Sequence, residues 1–194
     1  MFEESDFVAG VDELRRVLSE VSSLNSAAIV AAWHRLYQAV STGKTIFFAG
    51  NGGSASQSAH MAAEFVGRFK IERNGWPAMS LCENLSTLTA IGNDYSYDEV
   101  FSRQVRALCG PGDVLVLFST SGKSRNVIRA AEVGRELGVF VIGLTGKGGG
   151  ELKTRVDVCI DVPSTDVTRI QEAHLMIGHV LCSVSDHVSS GKVG

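Results

Sequence analysis

Short apolar segments alternate with helical segments along most of the chain. Each apolar segment is continuously or almost continuously apolar, as expected for strands of a parallel sheet that helices cover on both faces. The predicted strands are 45–49, 78–82, 114–118, 139–144 and 157–162. The predicted helices between and after them are 54–70, 84–91, 97–108, 124–137 and 167–189. This alternation predicts an α/β fold, a three-layer αβα sandwich with a doubly wound, mainly parallel five-stranded sheet.

The first part of the chain has a different pattern. Residues 10–22 and 26–42 show the helical spacing of apolar positions, and Gly43 is a typical helix stop. Residues 1–43 are therefore predicted to form a helical N-terminal extension of an α/β core that spans 44–194. The length of 194 residues suits one domain, 1–194, with a sizeable core.

The last predicted helix, 167–189, is apolar around most of its circumference. A helix of this kind is expected to be buried on all sides, which in a short chain indicates an oligomer interface. Three polar side chains interrupt this apolar surface, and burial there requires a partner for each of them. They are Gln171, His174 and His179. We expect His174 to be a hydrogen-bonded interface histidine.

Composition narrows the function further. The chain is 44% hydrophobic and 20% charged, and its net charge of −3 gives no indication of a nucleic-acid or anionic-membrane partner. No apolar run approaches the about 20 residues that span a bilayer. The acidic N-terminus has no apolar signal-peptide core, and the four cysteines lie far apart. We therefore expect a cytoplasmic protein with reduced thiols.

A glycine-rich loop follows the first predicted strand. Residues 50–55, GNGGSA, fit the G-x-G-x-x-A variant of the dinucleotide-binding motif. However, the side chains of Asn51, Ser54, Ser56 and Ser58 make this turn rich in hydrogen-bonding groups, whereas dinucleotide loops use bare backbone. A small phosphorylated or polyol ligand is therefore preferred over a nucleotide. A tight turn that merely needs glycine is a further alternative.

A second loop, Ser119-Thr120-Ser121-Gly122-Lys123-Ser124, follows the third predicted strand. Its Gly-Lys-Ser ending is similar to the end of a P-loop, but Leu117 stands where that motif requires glycine. Four hydroxyl groups remain at a helix N-terminus, where free N–H groups and the helix dipole favour an anion. A phosphate monoester is the preferred ligand, and a capped helix with a serine-rich turn is the alternative.

Two pairs of residues have spacings that suit acid–base or metal chemistry. His60 and Glu64 share one helix face at i and i+4, a spacing that suits a divalent metal or a hydrogen-bonded acid–base pair. Taken alone, such a pair is more often a surface pair than a site. Gln171 and His179 lie eight residues apart on the final helix, which separates their Cα atoms by about 12 Å along the axis. From spacing alone, a hydrogen-bonded network is preferred over a metal site.

Several motifs, taken together, resemble one family over almost the whole chain. They are AGNGGSAS, GRF, TAIGNDYSYDEVFSRQV, GDVLVLFSTSGKS with the following NVI, and RIQEAHLMIGH. The chain resembles the phosphoheptose isomerase family of the sugar isomerase (SIS) domain superfamily. The resemblance implies reversible isomerisation of sedoheptulose 7-phosphate to D-glycero-D-manno-heptose 7-phosphate, the first step towards activated heptose for surface polysaccharides such as lipopolysaccharide. It also implies a homotetramer with active sites between subunits and one zinc ion per subunit.

The resemblance implies a role for individual residues as well. The implied sugar-binding residues are Asn51, Gly52, Gly53, Ser54, Glu64, Asn93, Asp94 and Gln171, and the implied phosphate-binding residues are Ser119, Thr120, Ser121 and Ser124. The implied zinc ligands are His60, Glu64, Gln171 and His179, and Glu64 and His179 match the acid–base pair of the family. The resemblance thus reverses the preference for a network over a metal. Thr168 departs from the pattern, since some members carry an acid there.

A function of another class is the main alternative. SIS domains also serve as non-catalytic sugar-phosphate sensors, and one relative of this subfamily is a scaffold in replication initiation. A binding module does not need the complete set of two histidines, a glutamate and a glutamine at the positions of the implied zinc ligands. Because all four are present, the sequence favours an aldose–ketose isomerase.

Overall fold

A computed structural model describes residue 1 and residues 3–191. The helices are α1 (Glu4–Ser41), α2 (Gly53–Val66), α3 (Leu85–Asp94), α4 (Ser102–Leu108), α5 (Arg125–Glu136) and α6 (Val167–Ser189). The strands are β1 (Ile46–Gly50), β2 (Ala78–Ser80), β3 (Val114–Ser119), β4 (Phe140–Thr145) and β5 (Val158–Asp161). Short 3-10 helices span Tyr97–Glu99 and Glu151–Arg155.

The five strands form one sheet in the order β2-β1-β3-β4-β5, and every neighbouring pair is parallel. The sheet is doubly wound, since the chain runs from β1 outward to β2 on one side and from β3 through β4 to β5 on the other. This confirms the predicted α/β class and its five parallel strands. The order reverses between β1 and β3, and ligands of such folds bind at the carboxyl ends of the strands beside this point.

Two apolar layers cover the two faces of the sheet. Along β1, Phe47 and Phe48 point to opposite faces, as successive strand residues must. Phe48 packs in the layer that holds α1, α2 and α6, and Phe47 packs in the layer that holds α4 and α5. Nearly every β1 and β3 side chain is buried. The continuous apolar runs of the sequence are thus explained by burial on both faces.

The N-terminal region is one continuous helix, α1, and the predicted interruption between 22 and 26 is wrong. Asn25, at the expected break, is buried and faces the edge of the sheet. Its amide nitrogen donates to the Asp161 carbonyl at 3.1 Å, and its amide oxygen accepts from the Asp161 N–H at 3.3 Å. Because β5 satisfies its side chain, Asn25 stays helical and ties the extension to the core.

Helix α2 ends earlier than predicted, at Val66 instead of residue 70. The cause is Arg73, whose side chain folds back over the end of α2 and is only 2% exposed. Its guanidinium donates to the carbonyls of Glu64, Phe65 and Gly67. Arg73 therefore donates hydrogen bonds to carbonyls at the end of the helix that have no partner within the helix. The predicted helix 97–108 likewise divides into the 3-10 turn and α4.

His174 lies in the interior of its own chain, which corrects the expectation of an interface histidine. It is fully buried in the middle of α6. Its Nε2 lies 3.0 Å from the Thr145 carbonyl at the end of β4, and its Nδ1 has no partner among the described residues. Burial lowers the pKa of His174 to about 4. The ring is therefore neutral at physiological pH and donates from Nε2.

This buried imidazole predicts an acid-sensitive fold. In the unfolded chain His174 takes up a proton below its ordinary pKa of about 6.5, whereas in the folded chain it does so only near pH 4. Lowering the pH from 7.5 to 5 therefore favours the unfolded state by about 2 kcal/mol through this residue. Urea unfolding at both pH values measures the loss. We expect His174→Gln to remove this component and the surface variant His34→Gln to retain it. An unchanged pH dependence in His174→Gln contradicts the prediction.

The surface carries several exposed apolar side chains on the two longest helices. On α1 they include Phe7, Val11 and Leu24, and on α6 they include Val167 and Val180. The interior face of α6 packs against α1 and α2.

None of the described helices combines the length and apolar character needed to cross a membrane. The four cysteines are free thiols.

Candidate active site

The two loops singled out in the sequence meet at the switch point of the sheet. Residues 50–53 leave the carboxyl end of β1, and residues 119–124 leave the carboxyl end of β3, which pairs with β1 residue by residue. The strand registry therefore places both loops side by side. Each loop leads into a helix, α2 or α5, so two helix N-termini point towards the same region.

Asn51 joins the two loops. Its amide forms a reciprocal pair with the amide of Asn126 on α5, with both N–O distances at 2.9 Å. The Tyr97 hydroxyl donates to the Asn51 Oδ1 at 3.0 Å. Neither Asn126 nor Tyr97 was among the predicted site residues, although both lie inside the motifs that carried the resemblance. The side chain of Asn51 is thus held in a fixed orientation at the site.

Gly53 begins α2 and lies directly against Gln171. A Cβ atom at residue 53 would lie 2.7 Å from the Gln171 Nε2, so a larger residue there would displace the end of this side chain. From α2, the Gln57 amide donates to the backbone carbonyl of Gln171 at 2.6 Å. These contacts bring the start of α6 onto the glycine loop, which places Gln171 beside the predicted sugar-binding residues.

Residues 119–124, which we call the hydroxyl loop, are ordered by hydrogen bonds within the loop and to its neighbours. The Ser119 hydroxyl is buried and donates to the Ser124 hydroxyl at 3.2 Å. The Ser121 hydroxyl accepts from the Lys123 N–H at 3.1 Å, and the Thr120 carbonyl accepts from the Gly146 N–H at 3.0 Å. The four predicted phosphate-binding hydroxyls are thus carried on one short turn that is braced by the loop after β4.

His60, Glu64 and His179 form a compact cluster between α2 and α6. The His60 Nε2 lies 3.0 Å from the Glu64 Oε1 and 3.5 Å from the His179 Nε2. One ligand atom from each of the three residues lies within 4.8 Å of the other two. Two imidazole nitrogens and one carboxylate oxygen that converge in this way suit a shared proton or a divalent cation.

The remaining predicted residues occupy more varied positions. Asn93 and Asp94, at the end of α3, are exposed and bond to one another, with the Asn93 Nδ2 donating to the Asp94 Oδ1 at 2.9 Å. The nearby Tyr97 connects their segment to the site through Asn51.

Ser54 is buried under the glycine loop. Beside it, burial raises the pKa of the Cys82 thiol, which donates to the Gly50 carbonyl at 3.3 Å.

The fold and the paired loops define a SIS domain, and the SIS domain family profile matches residues 11–146. Within that class the chain belongs to the phosphoheptose isomerase family, a family of isomerases. It is 55% identical over 142 residues to phosphoheptose isomerase from Rhodospirillum rubrum, covering 73% of this chain and 76% of the relative. It is 48% identical over 170 residues to the enzyme from Geotalea daltonii, covering 88% of both. The structure of a phosphoheptose isomerase from Francisella tularensis matches with a TM-score of 0.91 at 31% identity, covering 96% of this chain and 100% of that chain.

Proposed function

We propose that the protein interconverts sedoheptulose 7-phosphate and D-glycero-D-manno-heptose 7-phosphate through an enediol or enediolate. The observation that supports this reaction most directly is the cluster of His60, Glu64 and His179, with ligand atoms within 4.8 Å of one another. An isomerase must move protons at two adjacent carbons. A carboxylate and an imidazole this close together can serve both carbons of one bound substrate.

The proton transfers follow from the structures of ketose and aldose. In the ketose, C1 carries two hydrogens and C2 is a carbonyl. One member of the pair Glu64 and His179 takes a proton from C1, while the other gives a proton to the oxygen on C2, which yields the enediol. The hydroxyl on C1 then loses its proton as C2 gains one, and C1 becomes the aldehyde. The proton count balances, and each residue returns to its starting state.

We propose that the cluster also holds one zinc ion per subunit. The donor set fits, since zinc accepts imidazole nitrogen and carboxylate oxygen, and His60, Glu64 and His179 would be three ligands with Gln171 as the fourth. When bound, zinc stabilises negative charge on the substrate oxygen at C1 or C2. The Glu64 Oε1 faces His60, and none of the described residues donates a hydrogen bond to the other oxygen, Oε2. One carboxylate can therefore bind through one oxygen and accept a proton on the other.

The two loops would orient the sugar. The phosphate would sit among the hydroxyls of Ser119, Thr120, Ser121 and Ser124, at the N-terminus of α5, where a phosphate is favoured. Asn51, Gly52, Gly53 and Ser54 would contact the sugar hydroxyls, together with Gln171. Asn93 and Asp94 would complete the sugar-binding set. When both ends of the substrate are bound, C1 and C2 are held next to Glu64 and His179. The reacting groups then keep a fixed orientation and do not have to meet by diffusion.

We further propose a homotetramer in the cytoplasm whose active sites lie between subunits. The support is the exposed apolar surface on the two long helices, which includes Leu24 on α1 and Val180 on α6, with exposed fractions of 70% and 44%. A groove of about 620 Å³, lined by Leu175, Met176 and Val180, extends up to His179. A second subunit on this face would exclude water from the cluster. The product would supply activated heptose for surface polysaccharide, including lipopolysaccharide.

Solvent isotope exchange tests the reaction. The wild-type protein, with zinc supplied, is incubated with sedoheptulose 7-phosphate in deuterium oxide, and exchange at C1 and C2 is followed by NMR. Enzymatic proton transfer through an enediol introduces deuterium at both carbons and produces the aldose. The corresponding sugar without phosphate is the control substrate and should react far more slowly. Absence of exchange with the heptose phosphate rejects the proposed function.

The metal can be tested apart from activity. We expect freshly purified protein, never exposed to chelator, to contain about one zinc per chain by elemental analysis, since three donor atoms already converge. His60→Ala should lower the zinc content at least tenfold because it removes a central ligand. His34→Ala, on the exposed side of α1, is the matched control and should keep the metal. Zinc-free fresh protein, or full exchange activity in a strong chelator, rejects zinc.

A further inference from the structure

A cavity of about 290 Å³ lies beside the hydroxyl loop, between that loop, the turn after β4 and the start of α6. Its polar lining residues carry hydroxyl or ammonium groups and are Thr120, Ser121, Lys123, Lys147, Ser164 and Thr165. Thr120 and Ser121 belong to the proposed phosphate site. The two lysines have no part in the mechanism given above.

The backbone of each lysine is tied to the wall of this cavity. The Lys123 N–H donates to the Ser121 hydroxyl at 3.1 Å. The Lys147 N–H donates to the Ser164 carbonyl at 3.0 Å. The two lysines thus extend from turns that are joined to one another by the backbone hydrogen bond between Gly146 and Thr120. The backbones of both lysines are therefore fixed, whereas their long side chains can adjust the positions of the ammonium groups.

Neither lysine is neutralised within the described part of the chain, where no carboxylate oxygen lies within 4.0 Å of either Nζ. The contrast is Lys153, nearby in sequence, whose Nζ lies 3.4 Å from the Asp161 Oδ2. Two positive charges without an acidic partner, beside four hydroxyl groups, create a cavity that favours an anion.

The chemistry of the proposed substrate supplies that anion. A phosphate monoester carries a charge of about −1.5 to −2 at neutral pH. The hydroxyls of residues 119–124 offer hydrogen bonds but no charge, and a helix N-terminus contributes only about half a positive charge. We propose that Lys123 and Lys147 bind the phosphate end of the heptose phosphate and determine the preference for a phosphorylated sugar. This inference rests on the proposed function, and it adds two specificity-determining residues to it.

Steady-state kinetics tests the two lysines. Because the phosphate keeps its charge throughout the reaction, its contacts stabilise substrate and transition state equally. We expect Lys123→Gln and Lys147→Gln each to raise KM about tenfold, and the double variant about fiftyfold, with kcat within about twofold of wild type. Lys→Arg at each position should restore most of the affinity. Lys153→Gln removes the same formal charge from a paired lysine and should leave KM unchanged.

Binding of inorganic phosphate separates this inference from the reaction itself. Titration calorimetry with phosphate should show weaker binding to the double Lys→Gln variant than to wild type or Lys153→Gln, with a smaller dependence on salt. That result upholds the lysine site even if wild type fails the isotope-exchange test. Equal phosphate affinity in wild type and the double variant overturns the inference even in an active isomerase. A loss of equal size in Lys153→Gln also overturns it, since the effect is then one of net charge.

Discussion

Replacing Glu64 by glutamine is expected to lower the exchange of deuterium at C1 and C2 about 1,000-fold. General acid–base groups contribute about 100- to 10,000-fold to rates, and an amide cannot take up the proton that a carboxylate accepts. Glutamine has nearly the same shape, so the hydrogen bond to the His60 Nε2, now 3.0 Å from the Glu64 Oε1, can be kept. The fold should therefore survive. The measurement is the exchange rate under saturating substrate, together with the zinc content of the same sample.

Glu72→Gln is the matched control for this variant. Glu72 follows in the next segment of the chain, its side chain is 90% exposed, and its nearest basic group is the Arg68 guanidinium at 3.8 Å. It should show wild-type exchange. If Glu64→Gln retains more than a tenth of the wild-type rate with normal zinc content, the carboxylate is not the group that moves the proton. Rate loss in proportion to zinc loss would limit Glu64 to metal binding.

The architecture was predictable because its signals are local. Continuous apolar runs mark strands buried on both faces, and α6, Val167–Ser189, has the predicted bounds of 167–189. The errors fall where a distant residue decides the local structure. Asn25 looks like a helix break until its amide is seen to pair with the backbone of Asp161, 136 residues away. Arg73 ends α2 from outside the helix, and no pattern within α2 records that.

The candidate site was predictable in part for a similar reason. His60 and Glu64 share a helix face, so their contact follows from helix geometry alone. That His179 completes the cluster depends on how α6 crosses α2, which spacing along one helix cannot reveal. Only the family resemblance supplied it. The two residues that hold the Asn51 side chain, Asn126 and Tyr97, were missed. Asn126 lies in the first turn of a helix and Tyr97 in a short turn, and neither position has a distinctive sequence pattern. Their partner, Asn51, lies 75 residues from Asn126.

Replacing Gly122 by alanine is expected to destabilise the fold by about 4 kcal/mol. Gly122 has φ of +62°, a left-handed conformation that costs other residues about 1–2 kcal/mol. In addition, a Cβ atom there would lie 2.0 Å from the Gly149 carbonyl oxygen. The Gly149 carbonyl belongs to the backbone and cannot rotate away as a side chain could, so relieving the overlap must separate the hydroxyl loop from the turn after β4. Overpacking of this kind costs about 1–3 kcal/mol more. Urea unfolding measures the total.

Gly148→Ala is the control that separates the conformational part of this effect from the steric part. Gly148 also has a left-handed conformation, with φ of +83°, but nothing lies within 4 Å of its expected Cβ position. It should therefore lose only about 1–2 kcal/mol, the cost of the backbone conformation alone. Because Thr120 and Ser121 share their turn with Gly122, the Gly122→Ala protein that remains folded should also bind inorganic phosphate more weakly than Gly148→Ala does. Equal losses of stability in the two variants would mean that the loops are not held together at this contact.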